Sequence, residues 1–177
     1  MDEFRIEIIK TWFEKANEFR KGLKNSLDKQ PFATRIFYAN ALIYCSIAYE
    51  AFIFGKFGRS GRNNTVTKNR KSLSEYFQVD FEKTQFSDNF KTALKLMKDE
   101  SNKEQIRDMS GRGESVRIKD VSDLDNILEV IYRVRSNLLH GGKEMSNNRN
   151  ALLMENSFHV LVEIMDKVLR KEGIIKG

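Results

Sequence analysis

The chain of 177 residues has one proline, one cysteine, one tryptophan and two histidines. Each scarcity excludes something. Cys45 cannot close an internal disulfide, which fits a reducing compartment. One cysteine and two histidines are too few for a tetrahedral Cys/His zinc site, and no metal or other cofactor is expected. Alternation of apolar and polar residues is rare, which argues against a β-rich fold. An uninterrupted apolar run is also missing. The stretch from Ile36 to Phe54 carries Asn40, Ser46 and Glu50 and is expected to fall short of a membrane span. The chain opens on Met1, Asp2 and Glu3, with Arg5 and Glu7 soon after, so no secretory signal is expected. With 40% apolar and 32% charged residues, the composition suits a single soluble, cytoplasmic domain.

What is present is helical periodicity. Phe4, Ile8, Trp12, Phe19, Leu23 and Leu27 recur at helical steps behind Asp2, a plausible N-cap. This first helix should stop before Pro31. A second should start near Phe32 or Ala33 and end at Gly55, apolar around much of its circumference and therefore deep in a bundle. Further helices are expected over Ser72–Phe77, from Ser87 or Asp88 to about Lys98, from Leu124 to His140, and from Asn148 to Lys171 with Gly173 as the stop. Ser122 and Asp125 have the spacing of an acidic capping box for the fifth of these. Residues 99–120 read mostly as polar loop. The whole is an all-α, antiparallel bundle of four to six helices.

Net charge is +6, from 31 Lys and Arg against 25 Asp and Glu. Lys56, Arg59, Arg62, Lys68, Arg70 and Lys71 fall in one stretch without an acid, leaving 25 cations against 25 acids elsewhere. Glycines at 55, 58 and 61 give that stretch loop character. It reads as a basic strap for a phosphate-bearing partner, or as a solvated loop. It lacks the pattern of a phosphate-binding P-loop, which excludes nucleotide hydrolysis of that kind.

The most informative helix begins at Leu124. On a wheel, Leu124, Ile127, Leu128, Ile131, Val134 and Leu138 form one apolar stripe. Arg135 falls about 20° from Leu124, inside that stripe, whereas Arg133 falls about 180° away, on the solvent side. A buried arginine needs an anion, a cavity or an interface. His140 follows five positions later, where Gly141 and Gly142 break the helix. Histidine is the side chain best matched to proton transfer near neutral pH, and arginine the best fixed cation for a phosphate.

The run Ile131-Tyr132-Arg133-Val134-Arg135-Ser136-Asn137-Leu138-Leu139-His140-Gly141-Gly142-Lys143 resembles the signature of the HEPN superfamily (higher eukaryotes and prokaryotes nucleotide-binding). That signature is an arginine, a polar residue that is usually Asn, three more residues and a histidine, towards the end of a helix in an all-α bundle. Arg135 and His140 match its two key positions. Ser136 stands where Asn is commonest, with Asn137 beside it as a supporting polar group. Arg133 with His140 fits the looser spacing, but the wheel favours Arg135.

The resemblance implies a metal-independent endoribonuclease acting on RNA. It also implies a homodimer with a composite Arg/His site, in a toxin–antitoxin or phage-defence setting with an antitoxin or other regulatory partner. In such chemistry a ribose 2′-hydroxyl attacks the adjacent phosphorus, Arg135 stabilises the pentavalent transition state, and His140 acts as base or acid. Lys143 and the strap would follow the RNA backbone. The alternatives are a non-catalytic HEPN module that binds RNA, a nucleotide or a protein, and a purely structural bundle. Arg135 may be read instead as the partner of Glu50 in the second helix, and His140 as a helix C-terminal residue favoured by the dipole. His159 reads as a packing histidine, Cys45 as a small buried hydrophobe, and Tyr38, Tyr44 and Tyr49 as core residues rather than base-stacking ones.

Overall fold

The computed structural model describes residues 1–26, 31–58, 65–107, 114–139 and 147–176. Six helices account for most of them: α1 (Glu3–Ser26), α2 (Pro31–Phe57), α3 (Thr65–Lys83), α4 (Asp88–Lys103), α5 (Leu124–Leu139) and α6 (Asn148–Lys171). No strand occurs among the described residues. A single antiparallel bridge joins Ile106 and Val116, each amide donating to the other's carbonyl, at 2.8 and 2.9 Å.

The helices start where short polar side chains satisfy free amides. Asp2 Oδ1 accepts from the Arg5 amide at 2.9 Å, Ser87 Oγ from Phe90 at 3.1 Å, and Asn147 Oδ1 from Arg149 at 2.9 Å. The cap of α5 is Asp123, whose Oδ1 accepts from the Asn126 amide at 3.0 Å. The expected Ser122–Asp125 box is not used, because Asp125 is turned to Arg70. Pro31 opens α2 at a position where its missing N–H costs nothing. Gly55 does not end that helix. It leaves room for Met1, whose sulfur would lie 3.0 Å from a Cβ there. Gly58 ends it, with a positive φ of 81° that a side chain would strain. Gly173, at φ 66°, follows α6 as expected.

α2 is the central element. α1 lies antiparallel along it, with Trp12 stacked on Tyr44 at 5.2 Å and Phe19 against Phe37 and Tyr44. α6 lies along another flank in the same direction as α2, since Arg35 meets Asn148 and Lys56 meets Glu172. The bundle is therefore not antiparallel throughout. α4 runs opposite to α6, joined by Ser87–Glu163 at one end and Glu100–Arg149 at the other. α3 and α5 close the remaining side, again in opposite directions. Phe52, Phe77 and Phe158 are fully buried where these layers meet, each contributing about 2–3 kcal/mol of burial.

By length and composition Thr34–Phe57 does reach what a membrane crossing requires, despite Asn40, Ser46 and Glu50. Packing accounts for its apolarity. Some 56% of its most apolar window is buried inside the bundle, against α1, α3, α5 and α6.

Candidate active site at the end of the fifth helix

The apolar stripe of α5 faces inward: Leu124, Ile127, Leu128, Ile131 and Val134 are all buried. Arg135 lies on the same flank, as the wheel requires. Its side chain is 17% exposed, and Nη1 lies 2.9 Å from Glu50 Oε1, whose side chain is 23% exposed. The pairing with the second helix is thus present. It is not sealed, since both side chains keep some solvent access.

A small cavity of about 10 Å3, room for a single water, lies beside the pair. Ser46, Tyr49 and Glu50 of α2 line it, with Ile131, Tyr132 and Arg135 of α5. The Tyr49 hydroxyl and Arg135 Nε are buried there without a hydrogen-bond partner among the described residues. Burial pushes the Glu50 carboxyl above the ordinary carboxylate range, and the nearby Arg135 charge offsets this only in part. Burial likewise raises Tyr49, with Arg70 lowering it and Asp125 and Glu50 adding to the rise. The result is a cation held by a carboxylate that takes up a proton more readily than usual.

Ser136 is half-buried on the next flank. Asn137 is 1% exposed, and its Nδ2 donates to the Arg107 carbonyl at 2.8 Å. It fastens the segment after α4 to α5, a structural task that the position next to Ser136 did not reveal. α5 ends at Leu139, so His140, Gly141, Gly142 and Lys143 lie outside the described residues.

The basic strap does not survive as one unit. Arg59 and Arg62 lie outside the described residues. Lys56 belongs to α2, 2.6 Å from Glu172 and over the Tyr76 ring. Lys68, Arg70 and Lys71 belong to α3, which starts seven residues before the expected Ser72. Arg70 is turned into the fold. Its side chain is 6% exposed, with Nε at 2.8 Å and Nη2 at 3.3 Å from Asp125, and Glu129 at 3.7 Å. These acids come from α5, more than fifty positions away, so a local charge count cannot see them. Lys68 and Lys71 remain on the exposed side of α3.

The other candidates fall as expected for packing residues. His159 sits against Tyr38 and Phe158, both at 5.5 Å between ring centroids. Cys45 is fully buried, and burial pushes its thiol well above the ordinary range. Tyr38 and Tyr49 are buried, and Tyr44 is stacked on Trp12. Among the described residues no three His, Cys, Asp or Glu side chains are grouped to hold a metal ion.

One feature escaped the sequence altogether. Gln105 and residues 114–119 lie against α5 and leave an open polar groove of about 370 Å3, which Arg133 helps to line. Ile106 and Ile118, both buried, were the available signal that this polar stretch is anchored. No family model, curated protein or solved structure matches the chain.

Proposed function

We propose that the chain is a HEPN-like, metal-independent endoribonuclease that works as a homodimer, with Arg135 and His140 at its centre. The observation that carries the reading is the Arg135–Glu50 pair: a guanidinium on the inner flank of α5, steadied from one side and still 17% exposed, five positions before a histidine. An arginine that stabilises a transition state must be held in place before the substrate arrives, and Glu50 supplies that restraint. Glu50 is a positioning residue in this scheme. The adjoining cavity is far too small for a nucleotide, so the reacting phosphate meets the guanidinium at the rim.

The chemistry uses only the chain's own groups. A base takes the proton of a ribose 2′-hydroxyl, and the oxygen attacks the neighbouring phosphorus in line. Arg135 balances the charge on the equatorial oxygens. An acid returns a proton to the departing 5′-oxygen, leaving a 2′,3′-cyclic phosphate. Each chain offers one histidine at this end of α5, and a second chain supplies the other of the acid–base pair. Single-stranded or looped RNA meets the in-line requirement most easily.

Incubating the purified protein with RNA in the presence of a chelator tests this. Cyclic-phosphate ends should form, and His140→Ala should slow their formation about 10²–10⁴-fold. Arg135→Ala should slow it about 10²–10³-fold, with the circular-dichroism spectrum retained in both. Undiminished cleavage by His140→Ala would refute the assignment.

A second reading draws on the same pair. Glu50 at 2.9 Å already gives Arg135 a counter-charge, which is a sufficient structural reason for an arginine on that flank. On this reading the bundle is a non-catalytic module that binds RNA, a nucleotide or a regulatory protein. RNA retained on a filter, with no cyclic-phosphate product after prolonged incubation, would favour it.

A further inference from the structure

Packing within the chain buries 56% of the most apolar window of α2. Much of the remainder falls on one stripe. Ile36, Asn40, Ile43, Ile47, Glu50 and Phe54 follow one another at steps of four and three, the spacing of a coiled-coil seam. Ile36 is 38% exposed and the other five are half-buried. On a wheel of α2 with Ile36 at zero, all six fall within about 40° of one line. Tyr44, stacked on Trp12 of α1, falls at about 80°, and Glu50, which holds Arg135 of α5, at about −40°. α1 and α5 therefore border the stripe on opposite sides. Leu139, 50% exposed and one turn beyond Arg135, adds apolar surface on the α5 border.

The stripe is its own complement. Read from either end it has the same spacing and the same order: apolar, polar, two apolar, polar, apolar. An antiparallel second copy centred at the level of Cys45 faces Ile36 with Phe54, Asn40 with Glu50, and Ile43 with Ile47. Each facing occurs twice, so the seam has six layers and spans about 27 Å. A parallel copy instead sets Glu50 against Glu50, and a shift of one heptad sets Asn40 against Ile43. Polar side chains within a seam fix register in this way. Glu50 Oε1 takes Arg135 at 2.9 Å, which leaves Oε2 to accept from the Asn40 amide of the second copy. A lipid tail offers neither polar position a partner.

We infer that two copies pair through α2, antiparallel and in this register. The two-fold axis stands perpendicular to the plane of the paired helices. It keeps both α1 helices on one side of the seam and both α5 helices on the other. The two Arg135–Glu50 pairs then share one side, with their Glu50 residues about 15 Å apart along the seam. This gives the homodimer proposed above its face and register. It stands on α2 and does not need the protein to cleave RNA.

Sedimentation velocity of the full chain at micromolar concentration should give twice the mass of one chain. Ile43→Lys brings a charge into a central layer from each copy and should weaken pairing at least about 100-fold, with the circular-dichroism spectrum retained. Ile47→Glu should do the same. An equimolar mix of these two variants, whose new charges face each other in this register, should regain the dimer. Leu96→Lys, at an exposed position of α4, should leave the mass unchanged. Ile36→Cys and Phe54→Cys in one chain should be joined between copies by a short bis-maleimide. Neither substitution alone should be joined, because each residue lies about 27 Å along the seam from its own counterpart. Should Phe54→Cys lose its spectrum, the mixed-charge measurement decides the register. A monomeric parent, a dimer that withstands Ile43→Lys, a mix that stays monomeric, or linkage of Ile36→Cys alone overturns the inference. A seam-dependent dimer that cleaves no RNA refutes the nuclease and upholds the seam. Full-rate cleavage by monomeric Ile43→Lys protein refutes the composite site and likewise upholds the seam.

Discussion

Arg135→Met is the perturbation that separates a structural ion pair from a functional one. The pair spans 2.9 Å, with the two side chains 17% and 23% exposed. Burial raises the Glu50 carboxyl above its ordinary range, and the attraction of Arg135 does not fully reverse this. Desolvation therefore outweighs the Coulombic gain, as it commonly does for ion pairs out of water. Two unequal outcomes follow. Glu50→Gln keeps the shape and a hydrogen-bond acceptor and removes the carboxyl that suffers from burial, but it leaves the Arg135 guanidinium without its counter-charge, so it should cost about 1 kcal/mol with little dependence on acidification. Arg135→Met instead leaves a carboxylate in the same place without its cation. Stranding a fully buried charge costs about 3–5 kcal/mol, and the partial exposure here brings this to about 2 kcal/mol. For a chain of this size that is a fall of about 4–8 °C in Tm.

The pH dependence fixes the sign. A carboxyl whose folded pKa is raised binds its proton more tightly in the folded state. Its contribution to stability therefore falls as pH climbs from the ordinary carboxylate range through the raised value. In Arg135→Met the raising cause acts unopposed, so the deficit should be large at pH 7 and shrink as the solution is acidified towards the ordinary carboxylate range. In the double variant Glu50→Gln/Arg135→Met the deficit should vanish at every pH, giving a coupling of about 3 kcal/mol in a double-mutant cycle. Urea unfolding followed by circular dichroism reads all four proteins. A deficit in Arg135→Met that ignores pH, or one in Glu50→Gln that shrinks on acidification as that of Arg135→Met should, would refute the reasoning. A Glu50→Gln protein that is stable but cleaves RNA slowly is the signature of a positioning residue.

Two other outcomes are expected from the same kind of accounting. Arg70→Met should cost about 2–3 kcal/mol, because it strands Asp125 and Glu129, yet leave the RNA affinity of the folded fraction unchanged; urea unfolding and anisotropy read the two separately. For Glu172, burial raises the carboxyl, but hydrogen bonds from Lys56 and Tyr76 and the charges of Lys56 and Lys171 outweigh it and hold it below the ordinary range. Its contribution is thus present above that range and lost as pH falls through it, so Glu172→Gln should flatten the acid limb of a stability-against-pH curve.

What the sequence revealed depended on whether the cause was local. Period is local, and the wheel put Arg135 on the inner flank of α5 beside Leu124, Ile127, Leu128, Ile131 and Val134. Caps one residue apart compete, and the choice of Asp123 over Ser122 was settled by a distant Arg70 that claims Asp125. The start of α3 was hidden for a related reason. Its buried face begins with Asn69 and Arg70 before Leu73, Ser74 and Phe77, so the helical period was carried by residues that do not register as apolar. Gly55 looked like a helix stop, but the space above it is taken by Met1, more than fifty positions away.

The described cations of the strap fall on two helices, and two of them are paired with acids from afar. Counting cations along the chain assumes that each acid neutralises its sequence neighbours. Folding sends Glu172 to Lys56, and Asp125 and Glu129 to Arg70. Those pairings leave the net charge at +6 but move the imbalance, because each acid drawn towards the strap is withdrawn from the place it occupies in sequence. The basic character legible in the composition is therefore not confined to the stretch in which the cations cluster along the chain.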